Sequence, residues 1–253
     1  MQVTVETVDV AGVDGQHVRC AVMTPVGATV ARPAVLAYSD IFQLTPTHVR
    51  ICRRLASYGY VVVAPEIFGR VLPAGRVLDF DADRQLAMDS TERMTLEGFD
   101  GDRRAVLAWM AQQPAIDPAQ LFVCGWCIGG HLAFRAATEP VIRASACFYP
   151  TGLHTNTVGS AHGTATSLDA AASIDGALLI VWGIRDPHIP AEGRRAVHRA
   201  LEAAAVDFHV RTYDAEHTFM RDEGARADPQ ATDRAFRAML DLFADARARH
   251  DRR

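Results

Sequence analysis

Cys127 lies in the stretch Leu121-Phe122-Val123-Cys124-Gly125-Trp126-Cys127-Ile128-Gly129-Gly130-His131. An apolar run rich in Val and Phe breaks there at Gly125, and the residues from Gly130 onward read as helix. A nucleophile in a Gly-x-Cys-x-Gly turn between strand and helix is held on a tight, strained bend. The positions two residues to either side of it must then be nearly free of side chain. Gly125 and Gly129 meet that need. The bend also sets the sulfur beside the first N–H groups of a helix, where the dipole favours negative charge. A thiol nucleophile needs a base and a group to orient that base. Asp186, in Gly183-Ile184-Arg185-Asp186-Pro187, and His217, in Asp214-Ala215-Glu216-His217-Thr218-Phe219, follow the last two strand-like runs.

Each of these residues also has a plain explanation. Free Cys is among the most buried residue types, Asp before Pro starts ordinary turns, and His217 is one of ten histidines. The joint placement of all three argues for a site, because each motif alone is weak. Cys124-Gly125-Trp126-Cys127 is in addition a C-x-x-C, which would suit a redox dithiol or half of a zinc site. Cys124 would then sit inside a strand rather than at a helix start, and no second Cys pair at metal-ligand spacing is present. The sequence therefore requires no metal and no cofactor.

The bulk properties narrow the function class. A chain of 253 residues, 49% apolar and 22% charged, can bury a sizeable core as an ordinary globular protein. A net charge of −4 gives nucleic acid or an anionic membrane no reason to bind. All 26 basic residues are Arg, which excludes Lys-based Schiff-base chemistry. The five Cys are an odd number, and Met1-Gln2-Val3-Thr4-Val5-Glu6 has neither the basic nor the apolar region of a secretory signal. Reduced thiols in the cytoplasm are the expectation. No apolar run approaches the length of a membrane span. The expected partner is a small-molecule substrate, bound by a monomer or small homo-oligomer.

The elements that must position the site follow from pattern. Residues 3–10 and 18–24 alternate as two strands joined by a turn at 12–15. Buried strands are expected at 34–38, 60–64, from Leu121 to the break at Gly125, 144–149 and 178–182, and a last strand at 208–213. Helices are expected after Pro46, at 83–94, from Asp100, from Gly130, at 192–204 and from Asp228-Pro229. Residues 151–176, rich in Gly, Ser, Thr and Ala, read as a mobile excursion, with His154 and His162 as solvated loop residues. Strand and helix alternate with short links. This predicts a single α/β domain over 1–253, a doubly wound, mainly parallel sheet flanked by helices. The chain order nucleophile, acid, histidine is that of the α/β-hydrolase fold. In that fold the oxyanion hole uses the N–H after the nucleophile and one from an early strand–helix loop, here Ile128 and Ile41.

Cys127-Ile128-Gly129-Gly130 in its elbow, Asp186 in Gly-x-x-Asp-x-x-x-Pro, and His217-Thr218-Phe219-Met220-Arg221 together resemble the dienelactone hydrolase family over residues 33–243. The resemblance implies a cytoplasmic α/β-hydrolase that opens small lactones, notably carboxymethylenebutenolides from chloroaromatic breakdown. It also implies a Glu after the first core strand, in a Gln-Glu-Ile-Phe-Gly type segment, that holds and activates the thiol. Two Arg residues would bind an anionic substrate's carboxylate. Here the segment reads Ser39-Asp40-Ile41-Phe42-Gln43, so Asp40 replaces the family Glu and Gln43 replaces Gly. Arg221 matches one of the two Arg residues, and Arg84 matches the other across a gap between Gly69 and Gly98. Three alternatives stay open: a thiol esterase or thioesterase for neutral small substrates, a thiol–disulfide protein using Cys124 and Cys127, and a catalytically silent binding module. Intact Cys, Asp and His argue against the last.

Overall fold

Strands buried on both faces must be apolar along most of their length. In the computed structural model, which describes residues 1–12, 14–27 and 30–250, this holds for β3 (Arg32–Tyr38), β4 (Val61–Pro65), β6 (Ile142–Phe148) and β7 (Ala177–Gly183). The half-exposed strands lie at the edges: β1 (Val3–Ala11), paired to β2 (His17–Pro25), at one and β8 (Phe208–Tyr213) at the other. With β5 (Ile116–Trp126) they form one eight-stranded sheet in the order β1-β2-β4-β3-β5-β6-β7-β8. Pairing is antiparallel at β1–β2 and β2–β4 and parallel from β4 to β8. The turn expected at 12–15 includes position 13, which lies outside the described residues.

The described residues form six helices: α1 (Pro46–Ala56), α2 (Arg84–Arg93), α3 (Leu96–Ala111), α4 (Ile128–Ala136), α5 (Ala191–Ala203) and α6 (Pro229–His250). Side-chain alternation shows which face they take. Phe122 stacks on Phe243 of α6, with ring centroids 4.8 Å apart. Its neighbour across the sheet is Ala144. Ser145, the next residue, points to the opposite face and donates to the Ala133 carbonyl of α4 at 3.0 Å. α1 joins α6 through Arg54, which lies over Phe236 and pairs with Asp233. α3 joins α4 through Asp100 and Arg135. The sheet is therefore covered on both faces. No helix of the described residues is long and apolar enough to cross a membrane.

Two element starts differ from the sequence expectation by more than two residues. β5 begins at Ile116, five residues before its apolar run, because its first stretch pairs irregularly. Arg32 pairs with Ile116, but Ala34 pairs with Leu121. α3 begins at Leu96 rather than Asp100. Thr95 caps it, accepting from the Gly98 N–H at 3.0 Å. Gly98 and Gly101 weaken the helical pattern in the sequence, but a Cβ at Gly98 would press on the Arg70 side chain, which lies across this turn to reach Asp102.

Residues 151–176 carry two short 3₁₀ turns, Leu153–Thr155 and Ala171–Ser173, and bury Leu153, Val158, Ala165, Ser167 and Ala171. Their anchors sit on helices elsewhere in the chain. Arg135 donates to the Ala165 carbonyl at 2.8 Å and to Ser167 Oγ at 3.0 Å. The same guanidinium holds Asp100 through two further bonds, at 3.1 and 2.6 Å. Replacing Arg135 with Met should cost about 3 kcal/mol in urea unfolding, because it strands partners that are largely out of water. Nonspecific proteases should then cut residues 151–176 more readily. Unchanged stability and cleavage would mean that the segment's own turns suffice.

Candidate active site

Cys127 caps the N-terminus of α4 with φ 59° and ψ −123°, a left-handed conformation that costs a non-Gly residue roughly 1–3 kcal/mol. The surroundings enforce it. The Cys127 N–H donates to the Phe148 carbonyl at 3.1 Å, and its own carbonyl accepts from Gly130 (2.9 Å) and Thr151 (3.1 Å). A Cβ on Gly125 would collide with the Gly129 carbonyl, and one on Gly129 with the Ser39 carbonyl. Backbone thus packs on backbone around the thiol, which is buried. Cys124 lies fully buried inside β5, and burial pushes its thiol well above the usual range. All five cysteines are free. Neither fact favours the dithiol.

Asp186 and His217 follow the carboxyl ends of β7 and β8, at the same end of the parallel strands as the elbow after β5, where open parallel sheets gather their functional loops. His217 donates from Nδ1 to Asp186 Oδ2 at 2.6 Å, and Asp186 Oδ1 accepts the His188 N–H at 2.8 Å. That bond commits Nδ1, so Nε2 is left to act on Cys127. Burial disfavours the imidazolium, but the charge and hydrogen bonding of Cys127 and Asp186 outweigh it and raise His217 from 6.5 to about 9. Tyr149 and His188 pack edge-on against its ring at 5.1 and 4.7 Å. Burial and the neighbouring His217 push His188 down.

Thr218 adopts φ 63° just after His217, and Arg221 donates its N–H back to the Thr218 carbonyl at 3.0 Å. This turn brings Arg221 beside the loop after β3. There its Nε and Nη2 both donate to Asp40 Oδ2, at 3.0 and 2.7 Å. Asp40 Oδ1 accepts the Phe42 N–H at 2.9 Å. The Arg221 guanidinium lies 4.0 Å from the Phe80 ring centroid and 5.1 Å from that of Phe42. Asp40 makes no described contact with Cys127. Ile128 follows Cys127 directly and Ile41 follows Asp40. Among the described residues neither N–H has an acceptor. Arg84 opens α2 as an exposed side chain with no described acidic partner, yet its charge is near enough to help lower His188.

The structure thus gathers Cys127, His217 and Asp186, sets the Asp40–Arg221 pair alongside, and leaves Arg84 at the rim. Sequence reasoning missed Thr151, whose hydroxyl lies 3.4 Å from Cys127 Sγ, and the flanking Tyr149 and His188. It also took His154 for solvated. That ring is half-buried and lies where a Cβ on Gly193 would collide with it. No local pattern marks such residues, because their partners are distant in sequence.

A sequence profile of the dienelactone hydrolase family matches residues 18–247. The chain belongs to the dienelactone hydrolase family. A Saccharomyces cerevisiae protein provisionally named a carboxymethylenebutenolidase is 32% identical over 196 residues, 76% of this chain and 71% of that one. The carboxymethylenebutenolidase of Pseudomonas sp. strain P51 is 28% identical over 216 residues, 83% of this chain and 84% of its own. The crystal structure of a Klebsiella pneumoniae protein, provisionally named a dienelactone hydrolase, shares the fold with a TM-score of 0.80. That match is 23% identical and covers 96% of this chain and 99% of that one. As a member of the dienelactone hydrolase family, the protein is a hydrolase of ester or lactone bonds.

In this dienelactone hydrolase relative the raised His217 links stability to pH. Its proton is held more tightly folded than unfolded, so the stabilisation is fully present below 6.5 and lost as pH rises through about 9. The melting-temperature advantage over a His217→Gln variant should shrink across that window. A constant difference would mean that His217 keeps its ordinary proton affinity.

Proposed function

We propose that the protein opens a small carboxylate-bearing lactone or ester, with Cys127 as nucleophile, His217 as base and Asp186 orienting the imidazole. The observation that carries the reading is the 2.6 Å His217–Asp186 bond beside a thiol held in a strained elbow. The thiolate adds to the carbonyl carbon, and the Ile41 and Ile128 N–H groups receive the oxyanion. The ring or alcohol oxygen leaves with a proton from the His217 imidazolium. Water then gives a proton to His217 and attacks the thioester, the C–S bond breaks, and the electron pair returns to sulfur.

The Asp40–Arg221 pair supports a negatively charged substrate. A substrate carboxylate competes with Asp40 for the guanidinium, and Asp40 Oδ2, held among the described residues by Arg221 alone, is the oxygen it would release. The freed carboxylate then accepts the thiol proton, so the nucleophile is armed with substrate bound. Arg84 at the rim is the second cation for that carboxylate. The same fold acting on neutral esters would need none of this.

Cys127→Ala should abolish hydrolysis of a panel of lactones and p-nitrophenyl esters, a loss of about 10⁴-fold or more. Cys124→Ala should keep most activity, and equal loss in both variants would restore the dithiol reading. His217→Ala and Asp186→Asn should each cripple turnover without adding in the double variant. Arg221→Ala should raise KM for an anionic substrate by roughly 30-fold or more, from a charge-assisted contact of about 2–4 kcal/mol. A neutral ester of similar size should be almost unaffected. Equal effects on both, or faster turnover of neutral esters by the unaltered protein, would leave a plain thiol esterase.

A further inference from the structure

The Thr151 hydroxyl has one proton and two acceptors. Its Oγ1 lies 3.4 Å from Cys127 Sγ and 3.3 Å from the Tyr149 carbonyl. The residue itself is pinned at both ends of its backbone. Its N–H donates to the Cys127 carbonyl at 3.1 Å, and its carbonyl is 3.2 Å from Nδ1 of His131. His131 is fully buried, and burial pushes it down to about 3, so it stays neutral. Its Nε2 is 2.7 Å from Ser167 Oγ, which accepts from Arg135. One proton arrangement satisfies the chain: Arg135 donates to Ser167, Ser167 to His131 Nε2, and His131 Nδ1 to Thr151. This buried relay fixes the Thr151 backbone from which Oγ1 projects between the Cys127 sulfur and the Tyr149 carbonyl.

We infer that Thr151 is a hydrogen-bond donor to Cys127 that serves the thiolate and not the thiol or thioester. A neutral sulfur is a weak acceptor, so the proton then rests on the Tyr149 carbonyl. When sulfur becomes anionic, the charge-assisted bond is the stronger one and the O–H turns to it. The donor therefore stabilises the charged nucleophile and releases it once the C–S bond has formed. Besides Thr151, the charged and titratable groups around the sulfur are His217 with Asp186 behind it, Tyr149, and the Asp40–Arg221 pair. The inference rests on Cys127 being the nucleophile.

The test is iodoacetamide alkylation of the purified protein against pH, with Cys127 labelling followed by peptide mass mapping, beside ester hydrolysis. The other four thiols are fully buried. In Thr151→Val, which keeps the branched shape and both backbone bonds, the alkylation midpoint should move up by about one pH unit, a tenfold loss of thiolate stabilisation. Thr151→Ser should restore the original midpoint. A merely structural role would lower the melting temperature without moving that midpoint. Should the Val variant fail to fold, Thr151→Ala reads the same shift. Overlapping curves for the unaltered protein and the Val or Ala variant, or a Ser variant that behaves like Val, would overturn the assignment. Hydrolysis by Cys127→Ala separates the two failures. If it is lost while the curves overlap, the nucleophile stands and Thr151's role falls. If it persists, the nucleophile reading itself has failed.

Discussion

The structure depends on a backbone-to-backbone contact at the end of β5. Gly125 and Gly129 let the turn close on itself and press against the Ser39 carbonyl, leaving no room for a side chain at either glycine. Because the loop after β3 touches the turn, the thiol, the first turn of α4 and the Asp40–Ile41 segment are placed together. The strain at Cys127 is offset by hydrogen bonds to its N–H and carbonyl from the ends of β6 and α4. A pre-formed bend of this kind costs nothing further when substrate arrives, which a functional site on flexible loops could not offer.

Around that fixed point the charges fall into two pairs with different tasks. His217 and Asp186 are both buried, and burial alone would strip the proton from the imidazole. The proton is retained because Asp186 and Cys127 both favour it, so the His217 environment has meaning only as a three-membered unit. Asp40 and Arg221 are closer to solvent, with side-chain exposures of 12% and 19%. Such a pair can be opened by a competing anion at moderate cost, whereas a fully buried pair could not. The two aromatic rings against Arg221 hold its guanidinium plane in place.

What was legible in the sequence follows the range of the forces involved. Apolar runs, Gly spacing and turn residues are local, and they revealed the α/β sheet, the elbow at Cys127, and the loops of Asp186 and His217. Irregular pairing hid the start of β5, since Asp117 to Gln120 carry no apolar signal. The long reach of Arg70 across Gly98 and Gly101 hid the first turn of α3. Residues 151–176 look like loose coil because a guanidinium that holds them belongs to Arg135, itself held by Asp100. Thr151 was hidden for the same reason. Its importance lies in an approach to Cys127 that only the folded chain creates.

Asp40 and Gln43, the two departures from the pattern that the resemblance implies, are physically connected. An Asp is short enough for its own carboxylate to accept the N–H two residues on, as Oδ1 does from Phe42. A longer Glu would lose that local turn, so the Asp is held more firmly by its own loop. Gln43 has φ 67°, the conformation for which Gly is the usual residue. The Gln side chain offsets that strain by bridging to the next loop. It accepts the Phe68 N–H at 3.0 Å and donates to the Arg76 carbonyl at 2.7 Å. The Phe42 carbonyl adds a third tie by accepting the Leu78 N–H at 3.2 Å. These bonds fix the chain that leads to Phe80, whose ring lies against Arg221, and Arg221 grips Asp40. The shorter acid and the Gln are thus parts of one arrangement, in which reach lost at Asp40 is exchanged for a stiffer frame around the ion pair.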